Sequence, residues 1–137
     1  FRSMARAVIS ATEGKTAALQ DLDIRSAATG KINQATGTGT DNILVVEGEG
    51  VKIDNAGGHS KMGELIARAV YDGVREAVFR QNGITRRRNV FQRLRERKIS
   101  LYDLIPDAGL NENISRREAV TALENLLLEP EAAAFIE

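Results

Sequence analysis

The chain has 137 residues, of which 42% are hydrophobic and 28% charged, and its 19 basic and 19 acidic side chains give a formal net charge of zero. This composition is typical of a globular domain, and the balanced charge argues against bulk electrostatic attraction to nucleic acid or to an anionic membrane. There is no cysteine and one histidine, His59, which excludes disulfides, thiolate nucleophiles and multi-histidine metal centres within one chain. No apolar run approaches the length of a membrane span and no signal peptide is visible, so we expect a cytoplasmic protein.

The first predicted element is a helix over residues 3–22. Its apolar residues recur three and four positions apart and form one face. Gly14 interrupts this helix, although a glycine in a helix interior costs roughly 1 kcal/mol relative to alanine. We therefore expect Gly14 to lie close to a ligand or to another backbone. Three residues precede Met4, which favours a segment of a longer protein over a start at this methionine.

Loops and strands are predicted next. Residues 23–28 indicate a short strand or an extended connection, and residues 29–41 a loop that ends in Ala-Thr-Gly-Thr-Gly-Thr-Asp. That ending suits the close approach of backbone N–H groups and hydroxyls to a ligand, but a glycine-rich turn before a strand explains it equally well. The best strand covers residues 42–47, whose unbroken apolar run indicates burial on both faces. After a turn, residues 51–53 predict a short partner strand.

A second glycine-containing loop, residues 54–60, leads into the longest predicted helix at residues 61–82. Ser60 is a suitable N-cap for this helix, and Gly83 is a suitable residue to follow its end. The N-terminal amides of the helix and its positive dipole end would then face the region that His59 occupies.

The composition changes after Gly83. Residues 84–98 contain six arginines and one lysine against one glutamate. A helix is predicted over residues 89–98, a short helix or turn over residues 100–106, a helix over residues 115–129 that opens with a capping box, and a last short helix after Pro130. The arginine run contains one aromatic residue, so a solvated face or pairing with the acidic C-terminal stretch explains it better than nucleic-acid binding.

The predicted fold is therefore α/β, in the loose sense of α+β. A small sheet is flanked by the N-terminal helix and the long helix in a core at residues 1–83, and an all-helical charged extension follows at residues 84–137. Two or three strands leave sheet edges that need cover. We therefore expect a partner, either an N-terminal half or a second copy of the chain in a homo-oligomer.

Three blocks of sequence, the last in two parts, resemble a known family. They are Thr12–Leu19, Ala35–Ile43, Ala56–Ile66 and Arg68–Tyr71, in this order and with compatible spacing. Together they resemble the C-terminal half of the adenosylcobinamide amidohydrolase family, the CbiZ type, over roughly Met4 to Gly83. The resemblance implies hydrolysis of the aminopropanol amide of adenosylcobinamide to adenosylcobyric acid in corrinoid (B12) salvage. The corrinoid is then the substrate, and no further cofactor is required.

Three residues are candidates for the chemistry of this reaction. Amide hydrolysis needs an activated water or nucleophile, donors for the oxyanion, and an acid for the leaving amine. His59 could be base and acid in turn, or it could cap the helix start. Asp41 could orient His59 or activate water, or it could accept hydrogen bonds within a turn or pair with an arginine. Glu13 could act as an acid, or it could lie on a solvated helix surface.

The predicted substrate-binding residues offer hydroxyls, backbone amides or a charge. They are Thr36, Gly37, Thr38, Gly39, Thr40, Lys15, Gly57, Gly58 and Glu64. Favourable pairing with the helix dipole is enough to explain Glu64, and a solvated surface is enough to explain Lys15. No metal site is predicted. Whether the chain is an enzyme stays open, because a non-catalytic corrinoid- or anion-binding module, or a structural or regulatory subunit that recruits a partner through its C-terminal helices, fits the same features.

Overall fold

The computed structural model describes residues 2–106 and 114–136 of the chain. The described residues form six helices. They are α1 (Arg2–Asp21), α2 (Lys61–Asn82), α3 (Val90–Glu96), α4 (Leu101–Leu104), α5 (Arg116–Leu128) and α6 (Pro130–Ile136). The chain divides into two compact units, the first comprising Phe1–Thr29 and Asn33–Arg86 and the second Gly30–Ile32 and Arg87–Glu137. None of the described helices is both long enough and apolar enough to cross a lipid bilayer.

The first unit is built on the packing of α1 against α2. Gly14 of α1 lies beside Ala67 of α2. Further along both helices, the Asp21 carboxylate accepts a hydrogen bond of 2.5 Å from the Tyr71 hydroxyl. The two helices therefore run in the same direction. A Cβ atom on Gly14 would overlap the backbone carbonyl of Ala67, so the expected close approach of Gly14 to another backbone is confirmed, and the neighbour is α2.

Both ends of α2 are fixed by the residues that the sequence indicates. The Oγ of Ser60 accepts a hydrogen bond of 3.1 Å from the backbone N–H of Gly63, which satisfies one of the free amides at the helix start. Gly83 adopts the left-handed conformation, with φ at 66°, and donates its backbone N–H to Phe79 O at 2.8 Å. Glycine adopts this conformation without a steric penalty.

The predicted sheet is wrong. Over residues 2–106 and 114–136 there is no strand, and the β interaction that remains is an isolated bridge between Arg25 and Gln34. Residues 42–47 and 51–53 follow an irregular, exposed path, with Leu44 88% and Val51 89% exposed. The apolar run has a high β-propensity, but a strand forms only when a second strand pairs with its backbone N–H and C=O groups. The described part of the chain offers no such strand, so the α/β assignment is replaced by a helical architecture.

The second unit holds the predicted C-terminal helices. Capping boxes open α3, between Asn89 and Gln92, and α5, between Ser115 and Glu118. Arg88 forms an ion pair of 2.9 Å with Glu96, and its side chain is only 6% exposed. This part of the arginine run is therefore used inside the unit, since a buried guanidinium needs a partner.

Candidate functional site

The first part of the candidate site is the threonine loop, residues 36–41, which the Asp41 carboxylate organises. This carboxylate accepts hydrogen bonds from the backbone N–H of Thr38 at 2.7 Å and from the Thr38 hydroxyl at 2.9 Å, and it pairs with the Lys15 ammonium of α1 at 2.6 Å. A Cβ atom on Gly37 would lie 2.5 Å from Asp41 Oδ2 and 3.1 Å from Lys15 Nζ. A larger residue at position 37 would therefore displace the ends of these two side chains from their present positions.

These contacts determine the charge of Asp41. Hydrogen bonds from Lys15 and then from Thr38 lower the pKa of its carboxyl from the ordinary 3.8 to about 2, because they favour the ionised form. Asp41 is therefore ionised at neutral pH, with oxygens that already accept three hydrogen bonds. A general base needs a higher pKa and a free lone pair, so this geometry suits a residue that holds the loop on α1.

The rest of the threonine loop is attached at its start and open at its tip. The Thr16 hydroxyl of α1 donates to Thr36 O at 3.0 Å, and the Asn42 side chain donates to Thr40 O at 3.0 Å. No heavy atom of the described chain lies within 4 Å of the position that a Cβ atom on Gly39 would take, apart from its immediate neighbours. The tip around Gly39 is thus accessible to a ligand.

The second part is the histidine loop, residues 55–60, which lies against the N-terminal half of α1. The Asn55 side chain accepts hydrogen bonds of 3.0 Å from Arg6 Nη1 and from the backbone N–H of Gly57. The buried Ser10 hydroxyl donates to Ala56 O at 2.8 Å. A Cβ atom on Gly63 would overlap the Gly57 carbonyl, so the start of α2 also packs directly on this loop.

A polar stripe on α1 thus supports the histidine loop. Arg6, Ser10 and Glu13 are spaced four and three residues apart, which places them on one side of a helix. A Cβ atom on Gly58 would lie 3.3 Å from Glu13 Oε2, so the Glu13 carboxylate lies against the loop one residue before His59. The sequence analysis missed Arg6, Ser10 and Asn55, although polar residues at helical spacing are a readable signal.

Glu13 and Lys15 serve different loops. Successive residues of an α-helix are about 100° apart, so these two side chains leave α1 on opposite sides of Gly14, where α2 makes contact. Accordingly, Glu13 faces the histidine loop and Lys15 the threonine loop. His59 is exposed and makes no hydrogen bond to a described residue, so Asp41 does not orient its ring in this structure.

The contacts of Glu64 are with other residues of α2 and not with either loop. Its carboxylate pairs with Lys61 at 3.1 Å and with Arg68 at 3.5 Å on the exposed side of α2, and the hydrogen bond from Lys61 lowers the pKa of the carboxyl. Within residues 2–106 and 114–136, no group of three or more His, Asp or Glu side chains is arranged to hold a metal ion.

Comparison with known proteins assigns the loops and the two helices to a family. The sequence model of the adenosylcobinamide amidohydrolase family matches residues 2–86. The chain belongs to this family. The match includes α1, α2 and both glycine-containing loops, and it ends at the last residue of the first unit, Arg86. The resemblance stated from the sequence blocks is thereby confirmed.

One relative shows how much of a family member the chain represents. An uncharacterized protein from Methanocaldococcus jannaschii is 56% identical to this amidohydrolase-family chain over 82 residues, which are 60% of the chain and 32% of the relative. The chain thus spans about a third of the length of this curated relative. No solved structure matches the chain.

Proposed function

We propose that this chain takes part in the hydrolysis of the aminopropanol amide of adenosylcobinamide, a step of corrinoid salvage. Water adds to the amide carbonyl, the C–N bond breaks, and adenosylcobyric acid and aminopropanol leave. The observation that carries the proposal is the contact between the Glu13 carboxylate and the histidine loop, because it places this carboxylate beside Gly58, the residue before His59, within the family match. A carboxylate and an imidazole are groups that acid–base catalysis of amide cleavage can use.

In the proposed reaction, Glu13 acts as the general base and His59 as the acid. Glu13 is exposed, so water reaches its carboxylate, and His59 follows Gly58 directly. The imidazole of His59 can then donate a proton to the leaving amine.

The histidine loop also supplies candidate oxyanion donors. The backbone N–H of Gly57 is occupied by the Asn55 side chain. The backbone N–H groups of Gly58 and His59 donate to no described residue. Gly58 lies beside Glu13, the proposed base. Backbone amides held in advance are effective donors for a developing oxyanion.

The threonine loop has a binding role in this proposal. A corrinoid carries several amide side chains around its ring and is large enough to contact both loops. The hydroxyls of Thr36 and Thr40 and the open backbone at Gly39 are suited to these amides. Asp41 and Lys15 act as positioning residues, because each is the ion-pair partner of the other. No cofactor is proposed beyond the corrinoid substrate.

The test is turnover of adenosylcobinamide by the purified chain, followed as aminopropanol and adenosylcobyric acid by mass spectrometry. Glu13→Gln and His59→Gln are each expected to lower kcat by about 10²–10⁴-fold, the usual contribution of a positioned acid or base. Substrate affinity should stay within a few-fold of the wild-type value. Glu47→Gln, an exposed acid outside both loops, is the matched control and should retain the full rate. Wild-type rates in both variants would remove Glu13 and His59 from the mechanism.

A second candidate is a corrinoid-binding module without catalysis. The observations that favour it concern Asp41 and His59, since the Asp41 carboxylate already accepts three hydrogen bonds within the loop and no described side chain orients His59. Corrinoid binding that is abolished by Gly39→Trp at the open loop tip, without turnover in the wild type, would support this candidate over the hydrolase.

A further inference from the structure

The Arg6 side chain lies beside the histidine loop without a charged partner. It is partly buried on α1, and its Nη1 donates a hydrogen bond of 3.0 Å to the Asn55 side chain. No other hydrogen bond and no ion pair joins Arg6 to a described residue. A guanidinium that is partly withdrawn from water loses hydration, and a carboxylate or a similar anion is the partner that offsets this loss. The remaining N–H groups of Arg6 are therefore available to a ligand.

Arg6 and the proposed base contact neighbouring positions of the histidine loop. A Cβ atom on Gly57 would lie 3.3 Å from Arg6 Nη1, and a Cβ atom on Gly58 would lie 3.3 Å from Glu13 Oε2. The guanidinium and the carboxylate thus approach consecutive residues of the loop, yet they form no ion pair with each other. Two opposite charges in this arrangement suit an amide under attack by water, because the carboxylate takes the proton of the water and the cation stabilises the carbonyl oxygen.

We propose that Arg6 binds the carbonyl oxygen of the substrate amide and, after hydrolysis, the carboxylate that this amide becomes. The inference rests on the proposed hydrolysis and adds the residue that recognises the reacting group. Water adds to the carbonyl carbon and gives a proton to Glu13, the C–N bond breaks with proton transfer from His59 to the amine, and Arg6 exchanges no proton. A guanidinium suits both states of the oxygen, because it stays charged and its paired N–H groups match the two oxygens of a carboxylate.

Binding of the reaction product tests the proposal without turnover. Arg6→Gln should weaken the binding of adenosylcobyric acid by about 10–100-fold in equilibrium dialysis, the usual contribution of a hydrogen bond to a charged group. Arg6→Lys keeps the charge and should lose less. The matched control is Arg80→Gln, which removes an arginine that is 77% exposed in the last turn of α2 and should bind the product as the wild type does. Wild-type affinity in Arg6→Gln would overturn the proposal.

A second corrinoid separates recognition of the carboxylate from a general effect on the loop. Adenosylcobinamide differs from adenosylcobyric acid at the reacting group alone, where it carries a neutral amide. Its KM, or its Kd where no turnover occurs, should change by no more than a few-fold in Arg6→Gln, whereas kcat should fall about 10²–10³-fold because an oxyanion donor is lost. An equal loss of affinity for both corrinoids would overturn the proposal, because Arg6 would then act through the position of the loop.

The same measurements distinguish a failure of this inference from a failure of the proposed hydrolysis. Turnover by the wild type together with unchanged product affinity in Arg6→Gln would refute the role of Arg6 and leave the hydrolysis standing. A wild type without turnover whose affinity for adenosylcobyric acid alone depends on Arg6 would refute the hydrolysis, and it would support Arg6 as a carboxylate-binding residue.

Discussion

Replacing Gly14 by alanine tests the packing on which both loops depend. The added methyl group would overlap the backbone carbonyl of Ala67, and a backbone atom cannot move aside by a change of rotamer, so α2 must shift. Overpacking of this kind costs about 1–3 kcal/mol. Alanine regains up to about 1 kcal/mol of helix propensity relative to glycine. We therefore expect a net loss of up to about 2 kcal/mol in the free energy of unfolding.

Gly73→Ala is the matched control for this prediction. Gly73 lies within α2, and a Cβ atom there would meet nothing within 4 Å, so this variant should gain up to about 1 kcal/mol from propensity alone. The two variants should thus move the midpoint of urea unfolding in opposite directions, measured by circular dichroism at the helical wavelength. If Gly14→Ala were as stable as Gly73→Ala, the close contact of α1 with α2 would not exist in solution.

Two further variants probe the loops. Because the pKa of Asp41 is lowered from 3.8 to about 2, its ion pair with Lys15 stabilises the fold above about pH 4, and this stabilisation is lost as the pH falls towards 2. Asp41→Asn should therefore lower the urea midpoint at pH 6 and approach the wild-type midpoint near pH 2, and a difference independent of pH would contradict the assignment. Ser60→Ala removes the acceptor for the Gly63 N–H and the hydroxyl that donates to Gly57 O at 2.7 Å, and it should cost about 1 kcal/mol, whereas Ser60→Thr keeps a hydroxyl for both contacts and should lose much less. Equal losses in both Ser60 variants would show that capping is not the cause.

The helices could be predicted from sequence because their signals are local. An apolar stripe, a capping serine and a terminal glycine all act within one or two turns, and the bounds of α2 agree with the prediction over residues 61–82. The close approach at Gly14 was also readable, since a glycine in a helix interior needs a reason. Its neighbour could not be identified, because the contact with Ala67 joins residues far apart in sequence.

The strands could not be predicted because their signal is incomplete without a partner. The run from Ile43 to Val46 specifies a side-chain pattern, but the hydrogen bonds of a strand belong to two segments at once. The same reason limits the site. The sequence indicates which residues are chemically suited to the site. The pairing of Asp41 with Lys15 and of Asn55 with Arg6, however, depends on how the chain returns to α1.

Those two pairings have a joint consequence for residues 42–54 and for any mutational test of the site. Asp41 directly precedes this segment and pairs with Lys15, while Asn55 directly follows it and accepts a hydrogen bond from Arg6, so both ends of the segment are attached to α1. A loss of activity in Asp41→Asn would therefore reflect displacement of the threonine loop and of this segment together. Glu13 contacts the histidine loop at Gly58 and holds neither end of this segment. A loss of turnover in Glu13→Gln would therefore reflect the chemical step and not a displaced loop.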